Sequence, residues 1–106
     1  MGIAVIACFK PKPGKEELLL EVIKEHLPIL RKEGLVTDKD SYAMKSEHGS
    51  IIEVFEWKSE EAIENAHKNK SVLELWKKFE EACTYIPIGN IEEAKHIFSN
   101  FEPVET

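Results

Sequence analysis

Residues 2–9, Gly-Ile-Ala-Val-Ile-Ala-Cys-Phe, read as a strand with two apolar faces. Side chains alternate across a strand, so Ile3, Val5, Ala7 and Phe9 share one face, and Ala4, Ile6 and Cys8 share the other. Such a strand needs cover on both sides. The chain has 106 residues, which is enough for one domain and one core. Helices can cover one face of a sheet in such a domain. A second copy of the chain is the simplest cover for the other, and a two-fold pair is the commonest arrangement. The expected partner is therefore a homodimer mate.

The rest of the chain supplies those helices. Lys10 to Gly14, with Pro11 and Pro13, ends the first strand. Residues 15–33 have helical spacing, with Leu19, Val22, Ile23, Leu27 and Leu30 on one stripe and charged residues largely outside it. Pro28 predicts a kink or an early end near Leu27, and Gly34 is the natural stop. Ser41 to Glu47 reads as a second strand, His48-Gly49 as a hairpin turn, and Ser50 to Trp57 as a third strand. Ser59 fits a helix N-cap, followed by Glu60 and Glu61. Ser71-Val-Leu-Glu74 matches a capping box and predicts a further helix, with Val72, Leu75, Trp76, Phe79 and Cys83 as its stripe. Thr84 to Ile88 looks extended, Ile91 to Lys95 fits one helical turn, and His96 to Phe101 reads as a last short strand. The order predicts an α+β, ferredoxin-like βαββαβ two-layer sandwich across residues 1–106.

Charge and composition narrow the partners. The net charge is −6, with no basic cluster, so nucleic acid is not an expected partner. The apolar run Ile3 to Phe9 is too short to span a bilayer and lacks the basic flank of a signal peptide, so no membrane association and a cytoplasmic location are expected. Cys8 and Cys83 have no CxxC partner and read as small buried thiols.

The chemistry concentrates between residues 51 and 67. A β-rich run ends in Trp57, a helix opens at once, and His67 follows about two turns along. This spacing lets the two rings face one cavity from sheet and helix. His67 is a candidate proton acceptor, or an iron ligand if neutral; its alternative is a helix-face histidine packing near Ile63 and Ala66. Trp57 offers a flat wall for an aromatic ligand, or plain packing at a strand end. Glu53 shares a face with Phe55 and Trp57, and an inward carboxylate there needs a partner. Trp76 and Tyr42 read first as core residues and second as candidate ligand contacts. His26 and His48 read as helix-edge and turn residues. Glu64 with His67 and Glu93 with His96 repeat an ExxH spacing, but the strands argue against the helical bundle that a di-metal site requires.

Several stretches together resemble the antibiotic biosynthesis monooxygenase-like family of the dimeric α+β barrel superfamily. They are Ala4 to Gly14 leading into a long helix, Phe55-Glu-Trp57-Lys-Ser-Glu-Glu-Ala62 followed by His67, and Ser71 with the Trp76/Phe79 helix. The resemblance implies a homodimeric barrel whose subunits each hold a pocket between sheet and helices. It implies either cofactor-independent oxidation of a small aromatic, quinol or polyketide-like molecule, or binding of haem or another hydrophobic molecule without turnover. A third possibility is a domain that chiefly dimerises. No cofactor is expected for the oxygenase reading, and haem is possible for the other. Haem-degrading relatives use an asparagine on the first strand with a tryptophan and a histidine. Trp57 and His67 resemble the last two, but residues 2–10 contain no Asn.

Overall fold

The computed structural model describes residues 2–105. Five strands form one antiparallel sheet: β1 (Ile3–Pro11), β2 (Tyr42–Lys45), β3 (Ile51–Trp57), β4 (Cys83–Ile86) and β5 (Glu102–Pro103), in the spatial order β4-β1-β3-β2-β5. Three helices, α1 (Glu16–Lys32), α2 (Glu60–Ala66) and α3 (Lys70–Ala82), pack on one face of it. The first four strands and the helices have the βαββαβ order expected from the sequence, so the fold is α+β and ferredoxin-like in arrangement.

Local chemistry explains the boundaries. Gly34 takes a left-handed conformation (φ 72°) and closes α1, with the Leu35 N–H donating to the Leu30 carbonyl. Gly49 does the same at the hairpin (φ 91°), where Ser46 Oγ accepts from the Ser50 N–H. Ser59 caps α2 by accepting from the Ala62 N–H at 3.1 Å.

Four expectations need correction. Helix α1 does not end at Leu27. It runs through Pro28 to Lys32, because Leu27 and Leu30 are both buried on its sheet-facing stripe and packing outweighs one missing backbone bond. Helix α3 is capped by Asn69, whose Oδ1 accepts from the Val72 N–H, and so begins before Ser71. The fourth strand of the sandwich is Cys83–Ile86, and His96 to Phe101 forms no strand: Ile97 and Phe98 are exposed in irregular chain. The far face of β1 is not wholly open either. The C-terminal segment folds back over one end of it, where Ile91 and the partly buried Ala94 and Phe101 pack with Cys8 and Ile52.

The sheet registers decide what lies under the helices. Ala7 pairs with Glu53 and Phe9 with Ile51, and on the other side Ala43 pairs with Glu53. Ile51, Glu53, Phe55 and Trp57 therefore face the helices, as expected from alternation, and Ile52, Val54 and Glu56 face away. Phe9, Leu19, Val22, Ile23, Leu75 and Phe79 build the core below α1 and α3.

Candidate functional site

A cavity of about 340 Å³ opens between the sheet and the helices. Its floor is Val5, Ala7 and Phe9 of β1 with Phe55 and Trp57 of β3. Trp76, Phe79 and Glu80 of α3 line it from above, His26 from α1, and Tyr85 from β4. The walls are mainly aromatic. Phe9 and Phe79 stack at 4.8 Å, and Phe55 meets Trp57 edge to face at 5.3 Å. The size and lining suit one small planar molecule.

His26 is the polar group set among these rings. It is 4% exposed, and its ring lies edge-on to Phe79 at 5.0 Å and to Phe55 at 5.4 Å. Its Nδ1 is 2.6 Å from Glu53 Oε1. Glu53 is itself 2% exposed. A buried carboxylate is tolerated when it is paired, and alanines on both neighbouring strands, Ala7 and Ala43, leave room beside it for the imidazole. Nε2 of His26 has no hydrogen-bond partner among the described residues. The ring thus brings one uncommitted nitrogen to a site lined mainly by hydrocarbon.

The expected site is brought together in part. Trp57, Phe55 and Trp76 line the cavity. Glu53 faces the same side of the sheet and supports it through His26. His67 does not share the cavity with Trp57. It follows the last turn of α2, where it is exposed, with Nδ1 2.8 Å from the Ile63 carbonyl oxygen and its ring edge-on to Trp76. Helix α2 ends at Ala66, so His67 falls where the chain turns outward toward α3. It is not among the residues that line the cavity, although its ring meets Trp76, which is. Tyr42 pairs with Val54 and lies on the opposite face of the sheet, so it cannot line this space. Within the described residues, no three His, Cys, Asp or Glu side chains converge as a metal-binding group.

His26, taken from sequence as a helix-edge residue, is the group that sequence reasoning missed. The signal was present: His26 is three and four residues from Ile23 and Val22 and four from Leu30, which puts it on the buried stripe of α1. A histidine on that stripe facing a glutamate on an apolar strand face is a pair that a joint reading of both elements could have found.

Two groups, Tyr85 in the cavity lining and Cys83 in the core beside it, stay neutral over a wide range. Burial pushes the Tyr85 hydroxyl up, with Cys83 and Glu80 adding to it, so it remains a potential donor. Burial also pushes the Cys83 thiol up to about 11 from 9.0, against a smaller opposing pull from Lys12. The thiol donates to the Phe79 carbonyl at 3.1 Å. Its folded value is raised, so its contribution to stability is complete below about pH 9.0 and is lost as pH rises toward about 11. Urea unfolding should therefore show a midpoint that drops over that interval, and Cys83→Ala should flatten the drop.

No protein-family model matches the chain, and neither does any curated protein.

Proposed function

We propose that the protein is a cofactor-independent monooxygenase that takes a small aromatic hydroxy compound, a quinol or a polyketide-like ring, into the cavity between sheet and helices. The observation that carries this reading is one buried imidazole, His26, in a space otherwise lined mainly by aromatic rings. The family resemblance of the sequence supplies the reaction class. The ring of the substrate stacks among Phe55, Trp57 and Trp76, and its hydroxyl gives a proton to His26 Nε2. The low-dielectric surroundings strengthen that contact and keep bulk water from competing for it.

The electron count closes without an added reductant. The substrate anion passes an electron to oxygen, and the two radicals combine as a peroxide anion on a ring carbon that still carries a hydrogen. That anion takes back the proton from His26 to give the hydroperoxide, which loses water made of its outer O–H and that hydrogen. One oxygen atom ends in the substrate as a carbonyl and the other leaves as water.

A homodimer is part of the proposal. On the face away from the helices, Ile6 is 54% exposed and Tyr42 56% exposed, with Ala4 exposed and Val54 half-buried nearby in the same sheet. The C-terminal segment covers only the end around Cys8 and Ile52. A second sheet meeting the first there would bury the remainder and complete a dimeric α+β barrel.

The test has two stages. Titration with para-nitrophenol should quench tryptophan fluorescence, since Trp57 and Trp76 line the site, and should raise phenolate absorbance. Oxygen uptake is then followed over a quinol and anthrone panel. Uptake should fall by roughly 10²- to 10⁴-fold in His26→Ala and stay unchanged in His67→Ala. Binding without oxygen uptake would make the protein a carrier of small hydrophobic molecules. A Soret shift on haem addition that vanishes in His67→Ala would restore the haem-binding alternative. Neither quenching nor uptake would remove the cavity from consideration.

A further inference from the structure

We infer that Glu53 is a positioning residue for His26, and that solvent reaches its carboxylate from behind through a gap beside Pro28 of α1. This rests on His26 being the proton acceptor, and it adds a role that the acceptor alone does not require.

Three observations join here. The first is the contact itself, Nδ1 to Oε1 at 2.6 Å, between two side chains that are both almost fully buried. An ionised carboxylate is an acceptor only, so it fixes the neutral imidazole as the Nδ1–H tautomer and leaves the lone pair on Nε2. When Nε2 gains the substrate's proton, the same carboxylate faces an imidazolium, and the contact becomes a charge-assisted hydrogen bond. Glu53 thereby acts through His26 without touching the substrate. A neutral group at this position would lack the charge-assisted contact.

The second observation is that Glu53 reaches a separate space. It lines a small cavity of about 100 Å³ with Ile23, Lys24, Leu27, Pro28, Arg31 and Ser41. Glu53 is not among the residues lining the large cavity, and His26 is not among those lining the small one. The dyad therefore bridges two spaces, one mainly aromatic and one edged by polar and basic groups. A space this size holds water when it is lined by polar atoms. Oε2 of Glu53 makes no hydrogen bond with any described residue. Water entering the small cavity would be the partner of that oxygen, and Lys24 and Arg31 are among the residues that line the cavity.

The third observation accounts for the gap. Pro28 lies inside α1 and has no N–H, so the Lys24 carbonyl loses its usual helical donor. Lys24 and Pro28 both line the small cavity. The proline that predicted a helix end from sequence instead leaves the helix intact and lines the same small cavity as the buried carboxylate. Ser41, just before β2, adds a hydroxyl at the same place.

The experiment uses full-length protein, para-nitrophenol as the probe and nitrogen NMR of the imidazole side chains. In the unmodified protein, His26 should give the signature of the Nδ1–H tautomer, and bound probe should appear as phenolate. Glu53→Gln keeps the shape but adds an amide N–H₂ able to donate to Nδ1. It should give a mixture of tautomers and lower the ratio of bound phenolate to bound phenol by roughly ten- to a hundredfold, while probe binding measured by fluorescence persists. Glu53→Asp should recover part of the phenolate signal. Ser41→Leu fills the rear gap while leaving both residues of the dyad in place and should lower the same ratio several-fold. A folded Glu53→Gln or Ser41→Leu protein with an unchanged tautomer and phenolate ratio overturns this role for Glu53, and leaves His26 as acceptor standing. Absence of bound phenolate in the unmodified protein overturns both.

Discussion

Replacing His26 with leucine is expected to destabilise the protein by about 3–5 kcal/mol, one of the largest single effects available in this fold. The substitution removes little volume and adds no clash of note, so packing is not the main cause. The cause is Glu53, which is 2% exposed and has its one protein hydrogen bond to His26. Without the imidazole, an almost fully buried carboxylate is left with no hydrogen bond to the protein. The diagnostic variant is the double substitution His26→Leu with Glu53→Leu, which removes both polar groups. A buried pair replaced by apolar residues of similar volume is often neutral or stabilising. The double variant should therefore recover most of the lost stability, although both single variants are weakened. Urea unfolding followed by tryptophan fluorescence gives the three differences, and the coupling between the sites should exceed 1 kcal/mol. The recovered double variant should still fail to ionise para-nitrophenol, which separates the function of the pair from its cost to the fold. Additive single effects would mean that the two side chains do not depend on each other, whatever their distance.

The sequence made the frame of this protein legible because each element has a strong local cause. The two apolar faces of residues 3–9, the stripe from Leu19 to Leu30 and the Ser59 cap each stand in the structure as read. Alternation along residues 51–57 also placed Glu53 on the helix side with Phe55 and Trp57, and flagged it as needing a partner. What the sequence could not supply was which residue of α1 passes over which residue of β3. That depends on helix orientation across a separation of 27 residues between His26 and Glu53, which no local spacing sets. The same limit misled the pairing of Trp57 with His67. Their separation in sequence fits a shared cavity, but α2 is only seven residues long and ends at Ala66, and His67, as its C-cap, lies against the Ile63 carbonyl and Trp76 instead of lining the cavity. Tyr42 failed for a different reason. Its strand alternates imperfectly, and its face is set by register against β3, where it pairs with the outward Val54. The C-terminal region was least legible, because Ile97 and Phe98 look like strand residues yet pair with no strand of the sheet and stay exposed.

Changing Ile6 to aspartate is expected to split the proposed homodimer. Ile6 is on β1, opposite Val54 of β3, on the face that carries no helix. In the single chain it is 54% exposed, so an aspartate there meets water and the fold itself should change by less than about 0.5 kcal/mol. In a back-to-back pair the same side chain is carried into the centre of an apolar interface, and two-fold symmetry brings two like charges into that interface at once. An unpaired buried charge at such a place costs roughly 2–5 kcal/mol, or about a 30- to 5,000-fold weaker dimer. Sedimentation should therefore move from a dimer to the 12.1 kDa single chain at concentrations where the unmodified protein stays paired. Tyr42→Lys on the same face should act in the same direction. Leu73→Asp is the control, because Leu73 is 44% exposed but lies on α3 in the helix layer; it should leave the dimer intact. The cavity provides an internal check. It is enclosed by residues of one chain, so Ile6→Asp should keep para-nitrophenol binding while losing its partner. If the unmodified protein already sediments as a single chain, the free face of the sheet has another use and the barrel reading fails, whereas the His26 site is untouched by that result.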